Sequence, residues 1–330
     1  MKQVKKLLCG VLMVCMIVAG INIAPQKVQA ATASGNDGEI HWEIKGDTLT
    51  LSAVKGTKGR MNNYSWDKKA PWNQYIAWEE KKPAVKNVFI TNSVTKLGSF
   101  AFQSTYLEKM TISGSVDTIP HDFCVLGEIN TLVLNNEIEK LDNKQSVCFL
   151  SIVRNVFLPK SLKNIPYYEF SSIGDGNVCG LQKVYGYSNS SASKYVDTCN
   201  EYDEISKTSS LPDGNMFCIS NGTPDNKIKF VALDKSSSLS KAKATSSLSL
   251  NKGKSQTIKV TLPTGFTKVT KYTGSPADVK VTFKSSNPKV ATVSSSGKVT
   301  GKKKGTAKIT VTMQIKDGAK KTVTTKVTVK

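Results

Sequence analysis

Histidine is nearly missing: the 330-residue chain has two, His41 and His121. That excludes a His-rich metal site and any chemistry that needs several imidazoles. No G-x-S-x-G, H-E-x-x-H or phosphate-loop pattern occurs, so the common nucleophile, zinc-protease and nucleotide signatures are missing too. Residues 241–330 contain no Arg. Planar, bidentate recognition of phosphate is therefore disfavoured there. Aromatics do not alternate with the basic residues of that segment, as they would in a surface that stacks bases. After Ala24 no apolar run approaches membrane length, and the chain ends at Lys330 without a sorting signal or apolar tail. A membrane span in the mature chain and covalent wall attachment are accordingly not expected.

What is present is enough to fold. Hydrophobic residues make up 39% and charged residues 22%, a composition that supports packed cores rather than disorder. At this length two or three domains are the natural expectation.

Residues 1–30 read as a secretory signal. Lys2, Lys5 and Lys6 precede the apolar run Leu7–Ala24, Pro25 breaks it, and Val28-Gln29-Ala30 places small residues where a signal peptidase cuts. The mature chain is expected outside the cytoplasm, secreted or on a bacterial surface. Its remaining cysteines, Cys124, Cys148, Cys179, Cys199 and Cys218, are odd in number and fix no pairing.

Charge splits the mature chain. Residues 241–330 hold 20 Lys against two acids, Asp278 and Asp317, for a net +18, whereas residues 31–240 are close to neutral. Such asymmetry implies two domains with different surface duties. The Ser-rich stretch 235–247 has linker composition and marks the boundary.

A repeat organises the neutral part. The pattern apolar-x-x-apolar-x-apolar recurs at Val85/Val88/Ile90, Leu107/Met110/Ile112, Ile129/Leu132/Leu134 and Val153/Val156/Leu158. Further apolar positions follow at the same offsets: Val94, Val116, Ile138 and Leu162, then Leu97, Ile119, Leu141 and Ile165. A degenerate fifth copy starts at Leu181/Val184. One copy cannot bury its apolar residues alone, but stacked copies bury them in a continuous strip and pair their short strands in a parallel sheet. Phe100, Phe102, Phe123 and Phe170 add an aromatic layer after the turn.

These residues resemble the BspA-type leucine-rich repeat of bacterial surface proteins, most closely over Val85–Phe102. Trp42, Gly46–Leu51 and Ala70-Pro71-Trp72 resemble the opening cap of such arrays. Leu181–Tyr195 and Ile228–Leu233 resemble the closing unit, with Val196–Lys227 inserted. The third copy departs from the pattern: after Leu141 it lacks the Ala-Phe pair. The boundaries that follow are residues 31–84 for the N-terminal cap, 85–234 for the solenoid with its C-terminal cap, and 248–330 for a second domain.

That second domain alternates β-branched and polar residues in short runs separated by Gly and Asn-Pro turns, as in Gln256–Leu262, Val279–Phe283, Thr306–Thr312 and Val323–Val329. Runs at this spacing imply a β-sandwich. The string Ser285–Val311 resembles the group-two bacterial immunoglobulin-like domain, which implies a surface setting and no chemistry of its own. The fold class expected is mainly β: a short parallel-sheet solenoid plus an immunoglobulin-like sandwich.

Function is expected to lie in surfaces. Strand positions between the apolar anchors point away from the core and form a concave face for an extracellular protein or glycan: Phe89, Lys109, Thr111, Thr131, Asn155, Phe157, Lys183 and Tyr185. Phe89, Phe157 and Tyr185 would supply the aromatic contacts. Lys302-Lys303-Lys304, in a turn, would hold the basic domain to anionic wall polymer by diffuse electrostatics, without specific nucleic acid binding. No catalytic residue, metal ligand or cofactor is expected. Two other classes compete: an extracellular carbohydrate-active enzyme and a purely structural wall component.

Overall fold

A computed structural model describes residues 31–77, 85–113, 115–142, 146–148, 151–166, 169–170, 180–206 and 227–330. The signal segment, Cys179 and Cys218 lie outside the described residues. The protein is mainly β.

The chain opens on an antiparallel meander of β1 (Ala31–Asp37), β2 (Ile40–Gly46) and β3 (Thr48–Ala53), followed by the one-turn helix α1 (Asn73–Ile76). Parallel strands then succeed each other once per repeat: β4 (Asn87–Ile90), β5 (Tyr106–Ile112), β7 (Glu128–Leu134), β9 (Ile152–Phe157) and β10 (Lys183–Gly186). Two-residue strands β6 (Thr118–Ile119) and β8 (Lys140–Leu141) pair on the adjoining flank. The closing cap is α2 (Ser191–Ser206) with β11 (Lys229–Ala232), which adds to β10 in parallel. The resulting nine-stranded sheet has the order β1-β2-β3-β4-β5-β7-β9-β10-β11.

The register explains the repeat. Leu49, Val88, Met110, Leu132, Val156 and Val184 stand side by side across the sheet, all buried. The offsets read from sequence all land in the core: Val94, Val116, Ile138 and Leu162, and Leu97, Ile119, Leu141 and Ile165, are buried. Phe102, Phe123 and Phe170 are buried as expected, but Phe100 is only partly so and meets the exposed Trp66 edge-on. In the third copy Val147 and Cys148 take the place of Ala101 and Phe102, and the coils stay in step: Phe102 N donates to Phe123 O and Cys124 N to Val147 O. Left-handed backbone recurs from copy to copy, at Phe100 and Asp122 and again at Ser104 and Leu126.

Residues 235–247, whose composition suggests a tether, are folded. Ser236–Leu239 forms a 3-10 turn, and Leu239 and Ala242 are fully buried. The sandwich begins with β12 (Lys243–Ala244) and β13 (Ser247–Leu250). The run Gln256–Leu262 forms two strands rather than one: β14 (Ser255–Thr257) and β15 (Val260–Thr261) flank the buried Ile258 and pair with different strands. The remaining strands are β16 (Thr267–Val269), β17 (Asp278–Ser285), β18 (Ala291–Val293), β19 (Lys298–Gly301), β20 (Gly305–Ile315) and β21 (Lys320–Val329). They form a five-stranded sheet, β13-β21-β20-β17-β16, facing the three-stranded β14-β19-β18. Val281, Ile309, Val311, Val299 and Val327 fill the space between.

Candidate functional site

The outward positions of the solenoid strands make two ladders. Thr48, Asn87, Lys109, Thr131, Asn155, Lys183 and Lys229 form one; Thr50, Phe89, Thr111, Val133, Phe157, Tyr185 and Val231 form the other. All eight residues expected to contact a partner are on these ladders. Strand alternation therefore places them together on one face.

The face is not uniformly open. Val133, Phe157 and Tyr185 share a hydrophobic cluster with the sandwich, and Thr131 is buried. Phe157 and Tyr185 stack in parallel with ring centroids 4.1 Å apart. Phe266, from the loop before β16, meets both edge-on at 5.1 and 5.7 Å. Edge-to-face geometry brings the positive ring edge to the negative face. Gly265 has φ +90°, and a Cβ there would stand 2.6 Å from Phe157 Cε2, so the contact requires glycine on two grounds. Exposure of Thr131, Phe157 and Tyr185 is thus an expectation that the fold overturns: they leave the solenoid core, yet the chain's own second domain covers them.

Polar contacts fix the docking. Lys109 Nζ donates to Gly265 O (3.0 Å) and Thr267 Oγ1 (2.7 Å). Burial pulls its pKa down, and the carboxylate of Asp278 opposes that shift. Asp278 is itself buried and accepts from Thr273 N (2.6 Å) and Thr273 Oγ1 (2.8 Å). Tyr187 Oη donates to Lys316 O (3.1 Å), Asn136 N to Gly274 O (3.3 Å) and Ala319 N to Leu233 O (2.8 Å). The β20–β21 turn and the loops around 265 and 274 therefore sit on the C-terminal half of the face.

The N-terminal half stays accessible. Phe89 is 36% exposed, and Thr48, Thr50, Asn87 and Thr111 are half-buried. Asn155 and Lys183 are half-buried at the margin of the covered region, and Asn155 Nδ2 donates to Asn130 O. At the opposite end of the sandwich, Lys302, Lys303 and Lys304 are all exposed.

The remaining titratable groups are held in structural contacts. His41 Nδ1 lies 2.8 Å from Asn36 Oδ1, and His121 Nδ1 lies 2.9 Å from Asp122 Oδ2. A shallow hollow of about 540 Å³ is lined by Glu139, Asp142 and Lys163 among others. Lys163 bonds Glu139 at 2.6 Å and lowers its carboxyl pKa. Glu169 is closed off in the solenoid interior. Its Oε2 accepts from Val147 N (3.1 Å) and Ser146 Oγ (3.3 Å), while Oε1 has no partner among the described residues. Burial pushes its carboxyl up to about 8. Cys124 and Cys148 are buried free thiols, and Cys199 is buried. Among the described residues no His/Cys/Asp/Glu cluster is arranged to hold a metal, and no helix is long and apolar enough to cross a membrane.

The docking of the sandwich joins two domains whose sequence patterns are each self-contained. The signal was present: Val133, Phe157 and Tyr185 are apolar at consecutive outward positions, and a monomer rarely leaves such a patch bare.

Residues 80–178 match the family described as BspA type Leucine rich repeat region (6 copies). Residues 240–323 match the Bacterial Ig-like domain (group 2). No curated protein matches the chain. Both families are typically binding or structural modules and suggest a surface or adhesion-type protein. The chain joins a BspA-type leucine-rich repeat region to a group 2 bacterial Ig-like domain.

Proposed function

We propose that this is an exported, non-catalytic adhesion protein that works as one rigid two-domain unit. The solenoid offers the N-terminal half of its outer sheet to an extracellular protein or glycan. Phe89 is the aromatic contact there, with Thr111, Asn87 and Thr50 around it. Lys109, Thr131, Asn155, Phe157, Lys183 and Tyr185 seat the sandwich or border its footprint. The basic sandwich is the anchor to anionic surface polymer.

The observation that carries this reading is the ring cluster of Phe157, Tyr185 and Phe266. It occupies one half of the face in cis and leaves the other half as a defined platform. A non-catalytic role is supported by the state of the carboxylates: Lys163 lowers the pKa of Glu139, and Glu169, the one carboxyl among the described residues with a raised pKa, is sealed from solvent. A general acid needs both a raised pKa and access to substrate.

The test probes an array of extracellular glycans and matrix proteins with the full chain and with the double variant Phe89→Ala/Thr111→Arg. The parent is expected to be captured and the variant to lose capture at least tenfold. Equal capture of both would contradict the assignment of the face.

A further inference from the structure

The sandwich has two unlike ends. At the docked end lie the β20–β21 turn and the start of β17, because Val279 pairs with Ile315 across the β17–β20 ladder. Both acids of the domain are here: Asp278 begins β17 and Asp317 sits in the turn after β20. β20 spans the 11 residues between the far end and this one, roughly 35 Å at about 3.4 Å per residue.

At the far end three loops and the end of β21 are tied into one rim. Gly253 N donates to Gly301 O and Gly301 N to Lys254 O. Lys302 N and Lys303 N both donate to Val290 O, while Lys252 N donates to Lys330 O and Lys330 N to Leu250 O. Backbone bonding therefore gathers seven lysines from separate parts of the sequence: Lys252, Lys254, Lys289, Lys302, Lys303, Lys304 and Lys330. All are exposed. The ion pairs among the described residues all lie in the solenoid and its N-terminal cap, so none neutralises a rim lysine.

We infer that this distal rim is the polymer-binding site of the protein and that its ligand is a flexible, linear phosphate polyanion that carries no bases. The inference rests on the anchoring role proposed above and gives it a place and a ligand class. Like charges held this close raise the local potential, and a polyanion lowers it by exchanging its counterions for ammonium groups. Lysine is a compact point charge on a flexible stem, suited to a chain that adjusts its path; rigid bidentate phosphate recognition would need Arg. Three successive lysines in one turn match a polymer with a charge on every short repeat. Nucleic acid is disfavoured because no aromatic ring lies in the rim loops to stack a base. The docked end faces the solenoid, so the rim points away from the partner-binding face, and both can be occupied together.

The experiment measures binding of full-length mature protein to inorganic polyphosphate of defined length across a salt series. Three proteins are compared: the parent, Lys302→Ser/Lys303→Ser/Lys304→Ser, and Lys259→Ser/Lys298→Ser/Lys326→Ser, which removes the same charge from exposed positions off the rim. The rim variant is expected to lose at least tenfold in affinity at low salt. Its log–log salt slope should fall by about 2, since each phosphate contact adds roughly 0.7 for a single-stranded polyanion. The control should keep most of both. Equal losses in the two variants would overturn the site, leaving only net charge. Absence of polyphosphate binding by the parent, or tighter binding of single-stranded DNA of equal charge, would overturn the ligand class. Capture through Phe89 is read separately, so failure here is distinct from failure of the partner-binding reading.

Discussion

The two halves of the solenoid's outer face are built from the same ladders and have opposite fates. Phe89 and Phe157 occupy equivalent positions three strands apart, yet Phe89 is 36% exposed and Phe157 is fully buried. The difference lies outside the repeat. In the C-terminal half the neighbours Val133 and Tyr185 make a continuous apolar strip, and Phe266 and Gly265 of the sandwich are shaped to cap it. In the N-terminal half the neighbours are Thr50 and Thr111, and nothing in the described chain covers them. One repeat thus supplies both an internal interface and an external one. Which is which depends on residues that the repeat pattern leaves free.

The largest effect expected from breaking this contrast is at Phe157. Phe157→Ala should cost about 3–5 kcal/mol, the usual range for emptying a buried phenyl site. Phe89→Ala should cost less than about 0.5 kcal/mol, as surface changes do. Chemical denaturation of both variants measures the gap directly. Lys109→Ala should come next at about 1–3 kcal/mol, because it removes a cation that interacts with the buried Asp278 and leaves Gly265 O without a donor. Combined with Thr267→Val, its effect should be clearly less than additive in a double-mutant cycle. Tyr187→Phe removes the bond to Lys316 O and should cost about 1 kcal/mol by the same assay.

The smallest effect is a pH dependence inside the solenoid that leaves the docking untouched. Glu169 has a carboxyl raised to about 8 in the folded chain, against an ordinary value of 4.5. Between those values the unfolded chain has released the proton and the folded chain retains it, so stability falls as pH rises through that window and levels off above it. Glu169→Gln should flatten this slope and raise the melting temperature at pH 8 by a few degrees relative to the parent. A parent and variant with parallel melting curves from pH 5 to 8 would show that Glu169 carries no such linkage.

Much of the solenoid was legible because its information is local and periodic. Val88, Val94 and Leu97 each announce a buried position, and the offsets repeat in every copy. Even the irregular third copy keeps step, since Val147 and Cys148 fill the layer that Ala101 and Phe102 fill elsewhere. The sandwich strands were legible from alternation, except where Ile258 turns inward and divides one expected strand into two. The Ser-rich stretch misled because small polar residues suit both a tether and a tight 3-10 turn, and only the burial of Leu239 and Ala242 distinguishes them. The candidate site was half legible. Alternation correctly placed Phe157 and Tyr185 off the solenoid core. That their partner would be Phe266 is a long-range contact, and no local pattern encodes it.

The docked arrangement is tested most directly by amide hydrogen exchange at Ala319, whose N–H donates to Leu233 O across the two domains. If the sandwich is seated on the sheet, this turn amide exchanges orders of magnitude more slowly than an open one, and Phe266→Ala accelerates it. Exchange in the parent at the rate of a free turn, unchanged by that substitution, would contradict the account.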